Sequence, residues 1–165
     1  MNLFKTTLLA TVVAAAGFAG TAMAASPLTD TFEVRIEIQE TCEVLIASDI
    51  VFDATIPEPG TVEQEGEIAV ECTNGTAYSL SLNEGASGNR HMAGPSSQEI
   101  AYELYQDSAR TPVWGTDADN KHVTGEGEGL GSAYRIVHDV YAVAPLVGNE
   151  EPGDYSDVAT ATLTF

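Results

Sequence analysis

The side chains able to carry chemistry in this 165-residue chain are two cysteines, three histidines and a large excess of carboxylates. Cys42 and Cys72 are the only cysteines, and an even count in an exported chain reads as one disulfide. Closing a loop of about thirty residues would stabilise the fold by roughly 3–4 kcal/mol in the chain-entropy model. A metal site would need more soft ligands, and His91, His122 and His138 have no ligand spacing with either cysteine. Carboxylate pairs such as Asp117/Asp119 and Glu126/Glu128 arise from composition alone. The run Asp117-Ala118-Asp119-Asn120-Lys121 lacks the glycine and distal glutamate of a calcium loop. His138-Asp139 resembles an acid–base couple, but neighbours along a strand point to opposite faces. The glutamates of Gly125-Glu126-Gly127-Glu128-Gly129 would repel a phosphate, so this stretch reads as a flexible loop. No serine sits in a nucleophile-elbow context. These residues point to no enzyme and to no cofactor.

The elements that hold them begin with an export signal. Lys5 supplies a positive start, Leu8 to Phe18 an apolar core, and Ala22-Met23-Ala24 a small-x-small cleavage box. Gly17, Gly20 and Thr21 interrupt the stretch, which is too short for a membrane span. Residues 1–24 are therefore expected to be a signal peptide, and removing those 24 of 165 residues leaves 141. That length suits one domain with a core of its own. All 25 acidic residues fall in this mature part, against five basic ones, Arg35, Arg90, Arg110, Lys121 and Arg135. Such a surface repels phosphate backbones and anionic lipid, so nucleic acid and membrane headgroups are poor partner candidates, and no later segment approaches the length for membrane insertion. The acidity itself reads as solubility, with a saline habitat left open.

The mature chain reads as strands. Phe32, Val34, Ile36 and Ile38 alternate with Glu33, Arg35 and Glu37. Further β-prone runs are Cys42–Ile46, Ile50–Phe52 before a Pro57–Gly60 turn, Glu67–Cys72 before Asn74-Gly75, and Tyr78–Leu82. Ile100–Leu104, Ala133–Val143 (stopping at Pro145) and Tyr155–Phe165 complete the set, the last with Ala159, Ala161, Leu163 and Phe165 on one face. No apolar stripe of helical period is long enough for a helix. About eight short strands separated by Gly, Pro and Asn turns predict a β-sandwich.

One strand is out of place. Only Gln39-Glu40-Thr41 separates Phe32–Ile38 from the next strand, and this linker lacks the Gly, Asn or Pro of a tight hairpin. By pattern alone, that segment either forms the first strand of its own sandwich or projects as an edge meant for another molecule.

The order of motifs resembles the spore coat U domain family, which includes the pilins of archaic (alternative) chaperone–usher pili. The resemblance covers essentially the whole mature chain. It rests on the alternating strand before Cys42, on Cys72-Thr73-Asn74-Gly75-Thr76, and on Asn89-Arg90-His91-Met92 before Ile100–Tyr105. Trp114-Gly115, Val140–Val143 and Gly153–Asp157 leading to Thr160–Phe165 complete it. The acidity and Val158-Ala159 depart from the family pattern.

The resemblance implies an incomplete immunoglobulin-like sandwich over residues 41–165, preceded by a donor-strand segment at 25–40. Phe32, Val34, Ile36 and Ile38 would fill the groove of a neighbouring subunit. Ala161, Leu163 and Phe165 would form the C-terminal strand along which a periplasmic chaperone zips. An outer-membrane usher would then exchange chaperone for subunit, giving a surface pilus built from identical or related pilins for adhesion and biofilm formation. A secreted carbohydrate- or surface-binding module, such as a minor or tip adhesin, is the alternative.

Overall fold

The computed structural model describes residues 26–53 and 58–165, so the expected signal peptide lies outside the described residues, as does part of the Pro57–Gly60 turn. The chain divides into two units, the first ending at Ile36 and the second spanning Glu37–Phe165. The described part of the first unit contains neither helix nor strand.

The second unit is all-β. Its strands are β1 (Cys42–Ala47), β2 (Gly60–Cys72), β3 (Ala77–Leu82), β4 (His91–Ala93), β5 (Glu99–Ala101), β6 (Glu103–Tyr105), β7 (Val123–Glu126), β8 (Ile136–Leu146) and β9 (Ala161–Thr164). They form a four-stranded sheet ordered β1-β2-β8-β6, a three-stranded sheet ordered β7-β3-β9, and a β4-β5 hairpin. Every pairing is antiparallel. The two larger sheets share one core: β2 gives Ile68 and Val70, β8 gives Val140 and Ala142, and β3 gives Tyr78, Leu80 and Leu82. The period-two alternation of β3 and β8 places these residues inward, as the sequence predicts.

Several elements differ from the sequence reading, each for a local reason. Ile50–Phe52 forms no strand. Ser48 ends the β1 pairing by bonding Glu67 through both backbone and hydroxyl. Ile50 then lies over Gly66 of β2, where a Cβ would come within 2.7 Å of its side chain. The run Gly125–Gly129 is not a flexible loop, since its first half belongs to β7. Gly125 pairs with Tyr78, and a Cβ there would sit 2.4 Å from the Tyr78 ring. At Gly127 a Cβ would sit 2.4 Å from the Thr73 carbonyl. The alternating glycines thus flatten one face of the chain for close packing. β8 runs through Pro145 to Leu146. β6 covers β8 only as far as Val143, so the proline lacks an N–H where one side of the strand is open. The last strand is shorter than Tyr155–Phe165, because pairing with β3 starts at Ala161.

Between the sheets lies a buried cation. Arg90 is 2% exposed and adopts a left-handed backbone (φ 54°). Its Nε and Nη2 donate to the Asn83 carbonyl at 3.3 and 3.2 Å, Nη2 also donates to the Trp114 carbonyl, and Nη1 pairs with Glu103. Trp114 is itself buried and donates its indole N–H to the Leu80 carbonyl at 3.0 Å. The Trp114-Gly115 pair joins the sheets, because Trp114 N bonds the Leu104 carbonyl of β6 while the Leu82 N of β3 bonds Gly115. Replacing Arg90 by methionine keeps the aliphatic bulk but strands two carbonyls and a carboxylate. Urea unfolding of Arg90→Met is expected to show a loss of at least about 3 kcal/mol, the low end of 1–3 kcal/mol for each of the three orphaned groups. A loss below about 1 kcal/mol would show that the guanidinium is not the hub described.

Candidate assembly site

β1 is an edge of the four-stranded sheet and β9 an edge of the three-stranded one. The two come into contact range of one another, each with an outer side that no described strand pairs. The inward residues of both are only half-covered. Cys42, Val44, Ala161 and Leu163 pack against the core without being buried, as do Ile50 and Phe52. Beyond β9, the segments Ser48–Phe52 and Tyr155–Ala159 face each other across an open cavity of about 430 Å³, which Met92, Tyr102 and Leu104 also line.

The wall of this cavity is fixed by polar contacts. Asp157 accepts from the Ser87 N–H (3.1 Å), the Ser87 hydroxyl (2.9 Å), the Tyr102 hydroxyl (3.0 Å) and the Val158 N–H (2.8 Å). Burial opposes ionisation of this carboxyl, yet the hydrogen bonds from Ser87, Val158 and Tyr102 outweigh it and hold the pKa below its ordinary value. Burial, followed by the hydrogen bond to Asp157, raises the Tyr102 phenol. Asn83 anchors the entry to β9, with Oδ1 accepting from Thr160 N at 2.7 Å and from Gly85 N at 3.1 Å.

The predicted residues can now be placed. Cys42 and Cys72 are disulfide-bonded and face each other in the β1–β2 register, so the bridge ties the open edge β1 to its neighbour. Phe32, Val34, Ile36 and Ile38 are 88, 83, 87 and 77% exposed, and no strand is assigned before Cys42 among the described residues. Ala161 and Leu163 share the half-buried face of β9, opposite Leu82 and Leu80 respectively. Phe165 lies past the ladder and is 57% exposed. Asn83, Arg90 and Asp157 were not singled out for these roles. Each has partners far away in sequence, from 24 residues for Arg90 and Trp114 to 77 for Asn83 and Thr160, and no local spacing announces those.

The polar residues considered for catalysis are spread out. His138 turns inward, where its Nε2 lies 2.8 Å from the Tyr78 hydroxyl. Asp139 lies on the other face and accepts from Tyr141 at 3.4 Å. Burial lowers the His138 pKa, with Asp139 opposing. Asp117 contacts His122, whereas Asp119 accepts from Thr116. Among the described residues, no group of three or more His, Cys, Asp or Glu is arranged to hold a metal. No helix among them is long and apolar enough to cross a membrane.

The low pKa of Asp157 sets a pH window. A carboxyl whose folded pKa is depressed stabilises fully above its unfolded value, and that contribution is lost only as pH falls through the folded value. Hydrogen exchange should therefore show the Ser87 and Val158 amides protected from neutrality down past the ordinary carboxylate range. Asp157→Ala should remove this protection at every pH. Loss beginning above that range in the wild type would contradict the clamp.

Comparison with known proteins supplies a family and a related fold. The profile of the Spore Coat Protein U domain matches residues 28–162. Among solved structures, the chain is similar to one in the CsuC–CsuE chaperone–tip adhesion subunit pre-assembly complex, from the archaic chaperone–usher Csu pili of Acinetobacter baumannii. The TM-score is 0.55 at 21% identity, covering 78% of this chain and 40% of that one. The chain thus spans about two fifths of that structure's length. Comparison with curated proteins gave no match. The family profile takes in the exposed N-terminal segment, the disulfide, the buried Arg90 and the first two residues of β9, and the chain belongs to the Spore Coat Protein U domain family.

Proposed function

We propose that this chain is a structural subunit of an archaic chaperone–usher pilus and that it polymerises by donor-strand complementation. The observation that carries this reading is a match of needs within one sequence. Four alternating apolar side chains stand more than three-quarters exposed in the N-terminal segment, while β1 and β9 leave two half-covered edges. Burying four such side chains at about 1.5–3 kcal/mol each gives roughly 6–12 kcal/mol as an upper estimate, before ladder bonds and ordering costs. Donor and acceptor are different surfaces of one subunit, so the contact is heterologous and generates an open filament.

In this reading a periplasmic chaperone covers the edge of β9 first, gripping Ala161, Leu163 and Phe165. An outer-membrane usher then exchanges it for residues 32–38 of the next subunit. The pilus so formed stands at the cell surface and serves adhesion and biofilm formation. The similarity to a chaperone–subunit complex of Csu pili supports the partner class, and family membership supports the pilin role.

The test uses the two strands separately. A one-residue slip turns every apolar side chain outward, so the donor acts only in register. Ile36→Asp would put a charge in an apolar pocket at a cost of several kcal/mol. That variant is expected to fold and bind its chaperone, yet to be lost as a donor from the SDS-resistant ladder of unheated polymer. Phe165→Ser is expected to lose the chaperone complex instead. Normal polymerisation of Ile36→Asp would exclude the segment as donor.

A further inference from the structure

The linker between the exposed segment and β1 decides whether that segment can complete its own domain. β1 is an open edge directly after the segment, so a simple hairpin at residues 39–41 would be the shortest route to pairing. A parallel return is excluded, because it needs a crossover of a dozen or more residues. Against β1 itself only antiparallel pairing is left, and there residues directly opposite project to the same face.

A two-residue loop, Gln39-Glu40, sets Ile38 opposite Thr41, Glu37 opposite Cys42, Ile36 opposite Glu43 and Arg35 opposite Val44. Cys42 and Val44 pack toward the core, whereas Glu43 is exposed. This register would turn Glu37 and Arg35 inward and the apolar residues out. A three-residue loop restores the match, with Ile38 opposite Cys42 and Ile36 opposite Val44. It demands a left-handed backbone at its third position, which is Thr41, a β-branched residue ill-suited to it. Thr41 is also already engaged. Its carbonyl accepts from the Thr73 N–H at 2.9 Å, and its N–H donates to the Thr73 hydroxyl at 3.0 Å. The same register sets Glu37 opposite Glu43, and like charges so placed repel.

We propose that Gln39-Glu40-Thr41 bars residues 32–38 from folding back on their own β1, which leaves the segment available to a second copy of this chain. The inference rests on the donor-strand reading and adds to it: the linker keeps the segment off the edge that directly follows it. The segment stays available because loop parity and turn chemistry both oppose closure.

The test rebuilds the turn. Gln39→Pro, Glu40→Asp and Thr41→Gly together supply a type I turn followed by glycine, with the parity that aligns Ile36 with Val44. Gln39→Asn with Glu40→Gly supplies an equally good two-residue turn of the wrong parity. The triple variant is expected to run as a monomer that melts higher than the wild-type monomer and ignores added peptide 28–38. The double variant should form ladders like the wild type. If both variants form ladders like the wild type, the inference falls and the pilin reading stands. If the wild type forms no ladder at all, the pilin reading itself fails. Should the triple variant misfold, hydrogen exchange on dilute wild-type monomer decides the matter. Unprotected amides at residues 32–38 support the bar, and protected ones overturn it.

Discussion

A β-edge must do something with its unpaired carbonyls and amides and with the apolar side chains beneath them. In this domain β1 and β9 leave both problems unsolved on adjoining outer sides. Much of the structure can be understood as supporting that incompleteness. An ordinary sandwich would blunt such edges with charge, proline or a bulge. β9 carries none of these: Ala161-Thr162-Leu163-Thr164 is neutral and regular. β1 has one irregularity, between Val44 and Ile46.

A domain that leaves an edge open needs rigidity from elsewhere. Arg90 supplies part of it, since one guanidinium gathers the Asn83 and Trp114 carbonyls and Glu103. The same Asn83 fixes the entry to β9 through Thr160. A continuous set of bonds therefore runs from the buried cation to the open strand. Asp157 does similar work one turn of chain earlier, tying the segment before β9 to Ser87 and Tyr102. The disulfide ties the other edge, at the first pair of the β1–β2 register. Each rim of the gap is thus held by contacts that do not require the gap to be filled, and such pre-organisation reduces the ordering cost of receiving a strand.

Legibility in the sequence followed the physics of each element. Tyr78, Leu80 and Leu82 announce β3 because one face is buried and one is not, which writes period two directly into the residues. The disulfide follows from a count. β7 is hard to read because one of its two inward positions is Gly125, which approaches Tyr78 closely, and glycine also marks loops. Ile50–Phe52 has strand composition, but its side chains serve as a lid over Gly66 and as cavity lining. Arg90 belongs to a motif of the sequence, but nothing local says that an arginine will be buried. Asp157 is one of many acids, and only its partners 55 and 70 residues away distinguish it.

The formal charge of −19 bears on how such a subunit meets another. Its acids lie largely on outward faces, where Glu67 stands directly opposite Asp139 across the β2–β8 ladder. The buried exception, Glu71, is compensated by Arg135 and the Gly131 N–H. Like-charged molecules repel at long range, and salt at physiological strength screens this beyond about 8 Å. The contact proposed for residues 32–38 is made at van der Waals range by apolar side chains, which salt affects little by comparison. Charge therefore acts mainly on the rate of encounter, whereas burial and ladder bonds set the depth of the final contact. In the proposed assembly, a subunit would be slow to find another copy in free solution and slow to leave it once paired. Such kinetics would favour the proposed delivery by a dedicated partner that holds the acceptor edge.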